Sequence, residues 1–220
     1  KGTHTHTFYT TPEYDTFAKT IDLPKWKVKY YKGLGTSSAN EAKQYFSNLH
    51  SNRIPFEILK DNSSHLIDMC FSKTKVAERK KWIQSYQIGT HMNFKVDAMT
   101  YNDFVNKEYI IMAVQSNLRG IPNVMDGLKP SQRKILFSCI KRKLKDEIKV
   151  AQLAGYTSEH AAYHHGETSL HGAIINMAQN YVGSNNINLL TPNGQFGTRL
   201  LGGKDAASPR YVFTQLSTIT

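Results

Sequence analysis

Residues 163–183 decide the fold of the C-terminal half of the chain and read YHHGETSLHGAIINMAQNYVG. Apolar side chains in this stretch repeat at spacings of four, three and four residues, at Leu170, Ile174, Met177 and Tyr181. This periodicity predicts an amphipathic helix, and Gly183 is a typical residue to end it. Short helices in close succession precede it from Val150, and a tight turn containing Gly166 joins the last two. Two consecutive helices with such a turn predict a helix-turn-helix.

The segments on either side extend this pattern to a domain. Residues 184–220 are rich in Gly and Asn and become strand-like after Arg210. Upstream, Pro130 suits the first turn of a further helix, because its missing N–H would have no partner there in any case. A helix-turn-helix followed by short strands and loops is the layout of a winged-helix domain. We predict this domain over residues 100–220.

The N-terminal part predicts a strand, turn and helix unit. Residues 25–31 alternate apolar side chains with lysines, as a half-buried strand does. Gly33 and Gly35 predict a turn after it. Ser38 and Glu41 have the spacing of a capping box, which predicts that a helix begins there. We expect residues 1–99 to form one domain with a linker at residues 87–99, which lack periodicity.

Composition restricts the function only broadly. The chain has 220 residues, 40% of them hydrophobic, and a net charge of +11 with basic residues along its whole length. Such a charge predicts a polyanionic partner, although ribosomal, histone-like and membrane-surface proteins share it. The two cysteines lack paired spacing, and no signal peptide or membrane span is predicted, so we expect an intracellular protein without disulfides. Both ends look cut from a longer polypeptide.

The loop at residues 194–211 carries the first candidate chemistry. It is rich in glycine and holds the cations Arg199, Lys204 and Arg210, which suit phosphate. Tyr211 follows Arg210 directly, and a tyrosine nucleophile needs a neighbouring cation to stabilise the phenolate. The alternative is a flexible surface hairpin with solvated basic residues, and a tyrosine that only packs.

The histidines at the start of the predicted helix form a second candidate. His164 and His165 precede Gly166, where backbone N–H groups and the helix dipole favour a phosphate. An imidazole there could hydrogen-bond a phosphate oxygen or accept a proton. A structural histidine is one alternative. A zinc site with His160 and His171 is another, which the lack of nearby cysteine ligands disfavours.

Five motifs, taken in order, resemble the eukaryotic-type type II DNA topoisomerases over nearly the whole chain. The first is similar to the end of the metal-binding Toprim domain, and the others to the winged-helix domain of the same family. They are KYYKGLGTS (29–37), IPNVMDGLKPSQRKILF (121–137), VAQLAG (150–155), YHHGE (163–167), and GQFGTR with GGKDAASPRY (194–211). The resemblance implies a mixed α+β chain. Residues 1–99 would be the C-terminal part of a Toprim α/β domain with its linker, and residues 100–220 a winged-helix DNA-cleavage domain, truncated at its C-terminus.

The resemblance also implies roles for individual residues. The nucleophile would be Tyr211 and the transition-state arginine Arg210, while Arg133 and His165 would hold the scissile phosphate and the leaving 3′ oxygen. Residues expected to contact DNA are Lys32, Lys129, Lys134, Lys143, Tyr163, His164, Ser169, Arg199 and Lys204. No metal ligand is expected in the chain, because the acidic triad of the family lies before it.

For the whole protein, the resemblance implies an ATP-dependent, Mg²⁺-dependent enzyme that acts on double-stranded DNA. We expect a homodimer in the nucleus, no contact with membranes, and an isolated fragment that is inactive. Two alternatives come from other classes. A non-enzymatic winged-helix DNA-binding protein would share the charge and the helix-turn-helix, and a tyrosine recombinase would share the nucleophile but should show its own Arg and His spacing.

Overall fold

The computed structural model describes residues 4–31, 37–58 and 63–220. The predicted turn at Gly33 and Gly35, and Lys32 beside it, lie outside these ranges. The chain forms two compact units, Lys1–Gln115 and Ser116–Thr220. No helix within the described ranges combines the length and the apolar character that crossing a bilayer requires.

The first unit is mainly helical. Its helices are α1 (Thr11–Ala18), α2 (Ala39–Ser47), α3 (Leu49–Asn52), α4 (Ser63–Phe71), α5 (Val76–Gln84), α6 (Tyr101–Asp103) and the first part of α7 (Ile110–Gly120), with 3₁₀ turns at Leu23–Lys25 and Lys73–Lys75 and a π-helical stretch at Phe104–Tyr109. Its buried core consists of Met69, Cys70, Trp82, Val105 and Ile110. The Trp82 indole N–H donates to the Asn106 side chain at 2.9 Å, so this large ring is buried with its polar atom satisfied.

Two local predictions for this unit are confirmed. Ser38 caps α2 as a complete capping box, with the Glu41 N–H donating to the Ser38 hydroxyl and the Ser38 N–H donating to the Glu41 carboxylate. Thr100 likewise accepts the Asp103 N–H at 2.9 Å and caps α6. Both signals depend on residues three positions apart, so they survive whatever the distant parts of the chain do.

The predicted strand at residues 25–31 is wrong. A 3₁₀ turn covers Leu23–Lys25, and the residues that follow it have no regular structure. Lys29 and Tyr31 bond to the Glu41 carboxylate instead of pairing with a neighbouring strand. The apolar positions Val28 and Tyr30 are exposed, so the alternation does not mark a buried face.

Residues 100–115 pack with the first unit. Val105 and Ile110 share its core with Trp82, and Phe56 stacks on Tyr101. The sequence places a domain boundary at residue 99, whereas the two compact units divide between Gln115 and Ser116, inside α7.

The second unit has the order of elements that a winged helix requires. Helix α8 (Pro130–Lys141) is followed by β1 (Ile148–Lys149), α9 (Val150–His160), α10 (Glu167–Ala178), β2 (Leu190–Asn193) and β3 (Phe213–Leu216). The three strands form one antiparallel sheet in the order β1-β3-β2. The predicted helix-turn-helix corresponds to α9 and α10, and Pro130 lies in the first turn of α8 as expected.

One core joins these helices to the sheet. Fully buried side chains come from every layer, among them Ile135, Leu153, Leu170, Ile174 and Leu190. Val212 is buried in the same core directly after Tyr211. The mixed α+β class is thus confirmed, with a helical unit followed by a winged helix.

Candidate functional site

Tyr211 combines an exposed side chain with a fixed backbone. Its side chain is 71% exposed, whereas Val212 beside it is 2% exposed. The Tyr211 N–H donates to the Ser208 carbonyl at 2.9 Å. The Arg210 guanidinium lies 6.0 Å from the centre of the Tyr211 ring, within reach of a cation–π interaction. The phenol therefore meets solvent next to a positive charge.

The backbone around Tyr211 is bonded to the start of α9. The Val150 N–H donates to the Val212 carbonyl, and the Ala151 N–H donates to the Pro209 carbonyl, both at 3.1 Å. The first N–H groups of a helix have no partner inside the helix. Here the chain on both sides of Tyr211 satisfies two of them, and the tyrosine position is thereby fixed to the helix-turn-helix.

The glycine-rich loop before Tyr211 is ordered by its own hydrogen bonds. The Gly203 N–H donates to the Thr198 carbonyl at 2.9 Å, and the Ala207 N–H donates to the Gln195 carbonyl at 2.9 Å. The Thr198 N–H donates to the Asp205 carboxylate at 2.8 Å, and this bond holds the pKa of Asp205 below its usual range. The alternative of a flexible surface hairpin does not fit this bonding.

Close backbone approach explains two of the glycines in this loop. Gly197 and Gly203 have φ values of +97° and +80°. A side chain at Gly197 would lie 2.5 Å from the Gly203 Cα, and one at Gly203 would overlap the side chains of Gln179 and Tyr181. The cations Arg199 and Lys204 in the same loop are exposed.

Arg133 is paired with a carboxylate in the structure. Its Nε donates to Asp126 Oδ2 at 2.7 Å and its Nη2 to Asp126 Oδ1 at 2.8 Å, so the pair is bidentate. Nη2 also donates to the Leu128 carbonyl at 3.2 Å. The hydrogen bonds from Arg133, and then the one from the Leu128 N–H, keep the pKa of Asp126 below its usual range.

The turn between α9 and α10 carries the predicted histidines. His164 and His165 are exposed, and the His165 ring lies 5.4 Å from the Tyr163 ring in an edge-on arrangement. Gly166 is the N-cap of α10, and the exposed Ser169 donates its N–H to the Gly166 carbonyl at 3.0 Å.

The remaining predicted cations lie around α8. Lys134 donates from Nζ to the Ala162 carbonyl at 2.8 Å, which ties α8 to the turn before α10. Lys129 is the exposed N-cap of α8. Lys143 is exposed just after the helix, with a left-handed φ of 53°.

The predicted site residues belong to one unit but form separate groups. Contacts join Arg210 to Tyr211 and Tyr163 to His165. Among the described residues, no recorded hydrogen bond, ion pair or ring contact connects Tyr211 with Arg133 or His165. All except Lys32 lie in the second unit, around its single core.

Sequence reasoning missed Asp126, the partner of Arg133. The Asp126–Gly127 pair is a common turn signal, and it could have predicted the local turn. The pairing across seven positions has no equivalent signal, since it depends on how the turn enters α8.

The family models divide the chain into two adjacent parts. Residues 1–117 match the C-terminal associated domain of TOPRIM, and residues 119–220 match the DNA gyrase/topoisomerase IV family. These matches define the class: a Toprim-associated domain followed by a topoisomerase-type winged helix.

Curated relatives are similar over nearly the whole chain. DNA topoisomerase 2 of Plasmodium falciparum is 51% identical over 221 residues, covering 100% of this chain and 16% of that protein. DNA topoisomerase 2-beta of Homo sapiens is 52% identical over 225 residues, covering 96% of this chain and 14% of that protein.

A solved structure gives the same result. The DNA-binding, cleavage and re-ligation domain of Plasmodium falciparum topoisomerase II superposes with a TM-score of 0.83 at 52% identity, covering 99% of this chain and 30% of that one. The chain belongs to the type II DNA topoisomerase family. It spans about a sixth of the length of the relatives quoted above.

Proposed function

We propose that this chain is part of the DNA-cleavage core of an ATP-dependent type II DNA topoisomerase, with Tyr211 as the nucleophile. The observation that carries the proposal is the Tyr211 side chain, exposed beside Arg210 on a backbone bonded to α9. The identity of about one half to topoisomerase 2 proteins across the chain supports it.

The proposed reaction is a reversible transfer of one phosphodiester bond. The Tyr211 oxygen attacks the scissile phosphorus and loses its proton, while the 3′ oxygen leaves and gains one. The products are a 5′-phosphotyrosine and a free 3′ hydroxyl. Since the covalent bond conserves the energy of the broken phosphodiester, the 3′ hydroxyl can reseal the strand by the reverse step.

Cations are required because charge increases in the transition state. A phenol is a weak nucleophile at neutral pH, so the adjacent Arg210 would stabilise the phenolate and the pentavalent phosphorus. Arg133 would bind the scissile phosphate, and His165 would hydrogen-bond the leaving oxygen. Arg210 and His165 are exposed and Arg133 is partly exposed, which is consistent with these roles.

The proposed DNA surface uses residues from the turn, from α8 and from the loop. Phosphate contacts fix the position of a protein on DNA without reading its sequence, and exposed lysines suit them. The surface comprises Lys129, Lys134, Lys143, Tyr163, His164, Ser169, Arg199 and Lys204, with Lys32 as a further contact outside the described residues.

The whole protein would need more than this chain contains. We propose dependence on Mg²⁺ and ATP, because the family resemblance implies both. The described residues contain no group of three His, Cys, Asp or Glu side chains that could hold a metal ion, so the chain as described does not fit a metal site of its own. We also propose a nuclear homodimer that passes one duplex through a break in another. The second candidate, a non-enzymatic DNA-binding module, has no comparison that favours it.

A Tyr211→Phe substitution in the full-length dimer tests the proposal. The variant should bind DNA and hydrolyse ATP nearly as well as the parent, because only one oxygen is lost. It should trap no protein on the 5′ end of cut DNA when the reaction is stopped with denaturant. Tyr9→Phe is the matched control, since Tyr9 is similarly exposed at 66% but lies in the first unit.

Two results would contradict the proposal. Adduct recovered from the Tyr211→Phe variant would mean that another residue is the nucleophile. The absence of adduct from the parent under conditions that support ATP hydrolysis would favour the binding module.

A further inference from the structure

The Asp126–Arg133 pair holds the guanidinium in a defined orientation. Two parallel hydrogen bonds from Nε and Nη2 to the two carboxylate oxygens, at 2.7 and 2.8 Å, fix the plane of the guanidinium. The third bond, to the Leu128 carbonyl, involves Nη2 again. In the part of the chain that the structure describes, no hydrogen bond is recorded for Nη1, which keeps two N–H donors for a ligand.

The carboxylate is itself held by the loop before α8. The Leu128 N–H donates to Asp126 Oδ1 at 2.9 Å, and the Gly127 N–H donates to the Asn123 carbonyl at 2.8 Å. The Asn123 N–H in turn donates to the Leu128 carbonyl at 3.0 Å. Gly127 has a φ of +69°, a conformation that suits glycine, and it allows the loop to turn back on itself. Asp126 is therefore a fixed support for Arg133.

This pair is placed where stability gains little from it. The two side chains are 43% and 38% exposed, and ion pairs between exposed side chains contribute little to folding. In addition, a carboxylate among Arg133, Lys129 and Lys134 repels a polyanion. An acidic residue that weakens DNA attraction and adds little stability calls for another role.

We infer that Asp126 is a positioning residue, which orients the Arg133 guanidinium so that Nη1 can bind the scissile phosphate. The inference rests on the proposed function, because it assigns Arg133 to that phosphate. Orientation matters in catalysis because a misplaced donor loses most of its preference for the transition state.

Asp126→Asn in the full-length dimer separates binding from catalysis. Removal of one negative charge should leave duplex affinity equal or tighter. The single-turnover rate of adduct formation at saturating protein should fall by about tenfold to a hundredfold. The melting temperature should stay near that of the parent. A residue with only a structural role would weaken both affinity and rate.

Asp146→Asn is the matched control, since it makes the same charge change at an exposed position of the same unit. It should affect duplex affinity in the same direction and leave the cleavage rate at the parent value. An equal loss of rate in both Asn variants would overturn the inference.

An Arg133→Lys background gives the decisive comparison. Lysine cannot form the bidentate pair, so Asp126→Asn should cause no further loss of rate in that background. A further loss, or an Asp126→Asn rate equal to that of the parent, would overturn the inference. If the parent itself forms no adduct, the proposed function fails instead, so the two failures are distinguishable.

Discussion

Replacing Gly197 by alanine should open the loop that precedes Tyr211. The residue has a φ of +97°, and a left-handed conformation costs a non-glycine residue about 1–2 kcal/mol. The new methyl group would lie 2.5 Å from the Gly203 Cα and 2.7 Å from its carbonyl oxygen. Overlap of this kind costs about 1–3 kcal/mol. The closed loop should therefore lose about 2–5 kcal/mol.

Hydrogen exchange in the full-length protein measures this loss at two amides. The Gly203 and Ala207 N–H groups donate across the loop, so their exchange reports its opening. A loss of about 2–5 kcal/mol should speed their exchange by about 30-fold to a few thousand-fold. Adduct formation by Tyr211 should fall as well, since the loop leads directly to it.

Gly202→Ala is the control for this effect. Gly202 also has a positive φ, +58°, but an added methyl group meets nothing within 4 Å. Its cost should be the conformational part alone, about 1–2 kcal/mol. If both variants exchange at the same rate, the close approach of Gly197 to Gly203 does not hold the loop, and the reasoning fails.

The remaining predictions concern DNA binding and catalysis. Affinity of the full-length protein for DNA should fall steeply with salt, with a log-log slope of several units and little dependence on sequence, because phosphate contacts dominate; a salt-independent affinity would contradict this. Arg133→Ala and His165→Ala should each slow cleavage by about a hundredfold while the melting temperature stays nearly constant, because both side chains are on the surface; early unfolding of either variant would indicate a structural role for that residue.

Local signals in the sequence were sufficient to predict several helix starts. Ser38, Thr100 and Pro130 each begin the helix that was expected there. Capping bonds join residues three positions apart, so the sequence contains both partners of the interaction.

Tertiary contacts explain where the prediction of the long helix failed. The spacing of apolar residues predicts a helix to Gly183, but α10 ends at Ala178. Gln179 leaves the helix and its buried amide donates to the Phe196 carbonyl at 2.9 Å. Asn185 donates to the Gln179 carbonyl in turn. Both partners are distant in sequence, so periodicity alone contains no sign of them.

The candidate site divides in the same way. The prediction that Tyr211 and Arg210 act together uses adjacent residues, and the structure shows their contact. The roles of the individual site residues stay predictions. The bond between Asp126 and Arg133 depends on the fold of the loop between them, which no spacing rule describes.

The bonds from α9 to the chain around Tyr211 have a mechanical consequence. A force applied at the Tyr211 side chain would pass through the Pro209 and Val212 carbonyls into the first turn of α9, and through Phe213 into the sheet. These connections load several hydrogen bonds in parallel instead of stretching one loop. A strand end attached to this tyrosine would then move with the helix-turn-helix as a single body, and the free hydroxyl it must rejoin would be approached by displacement of the whole unit.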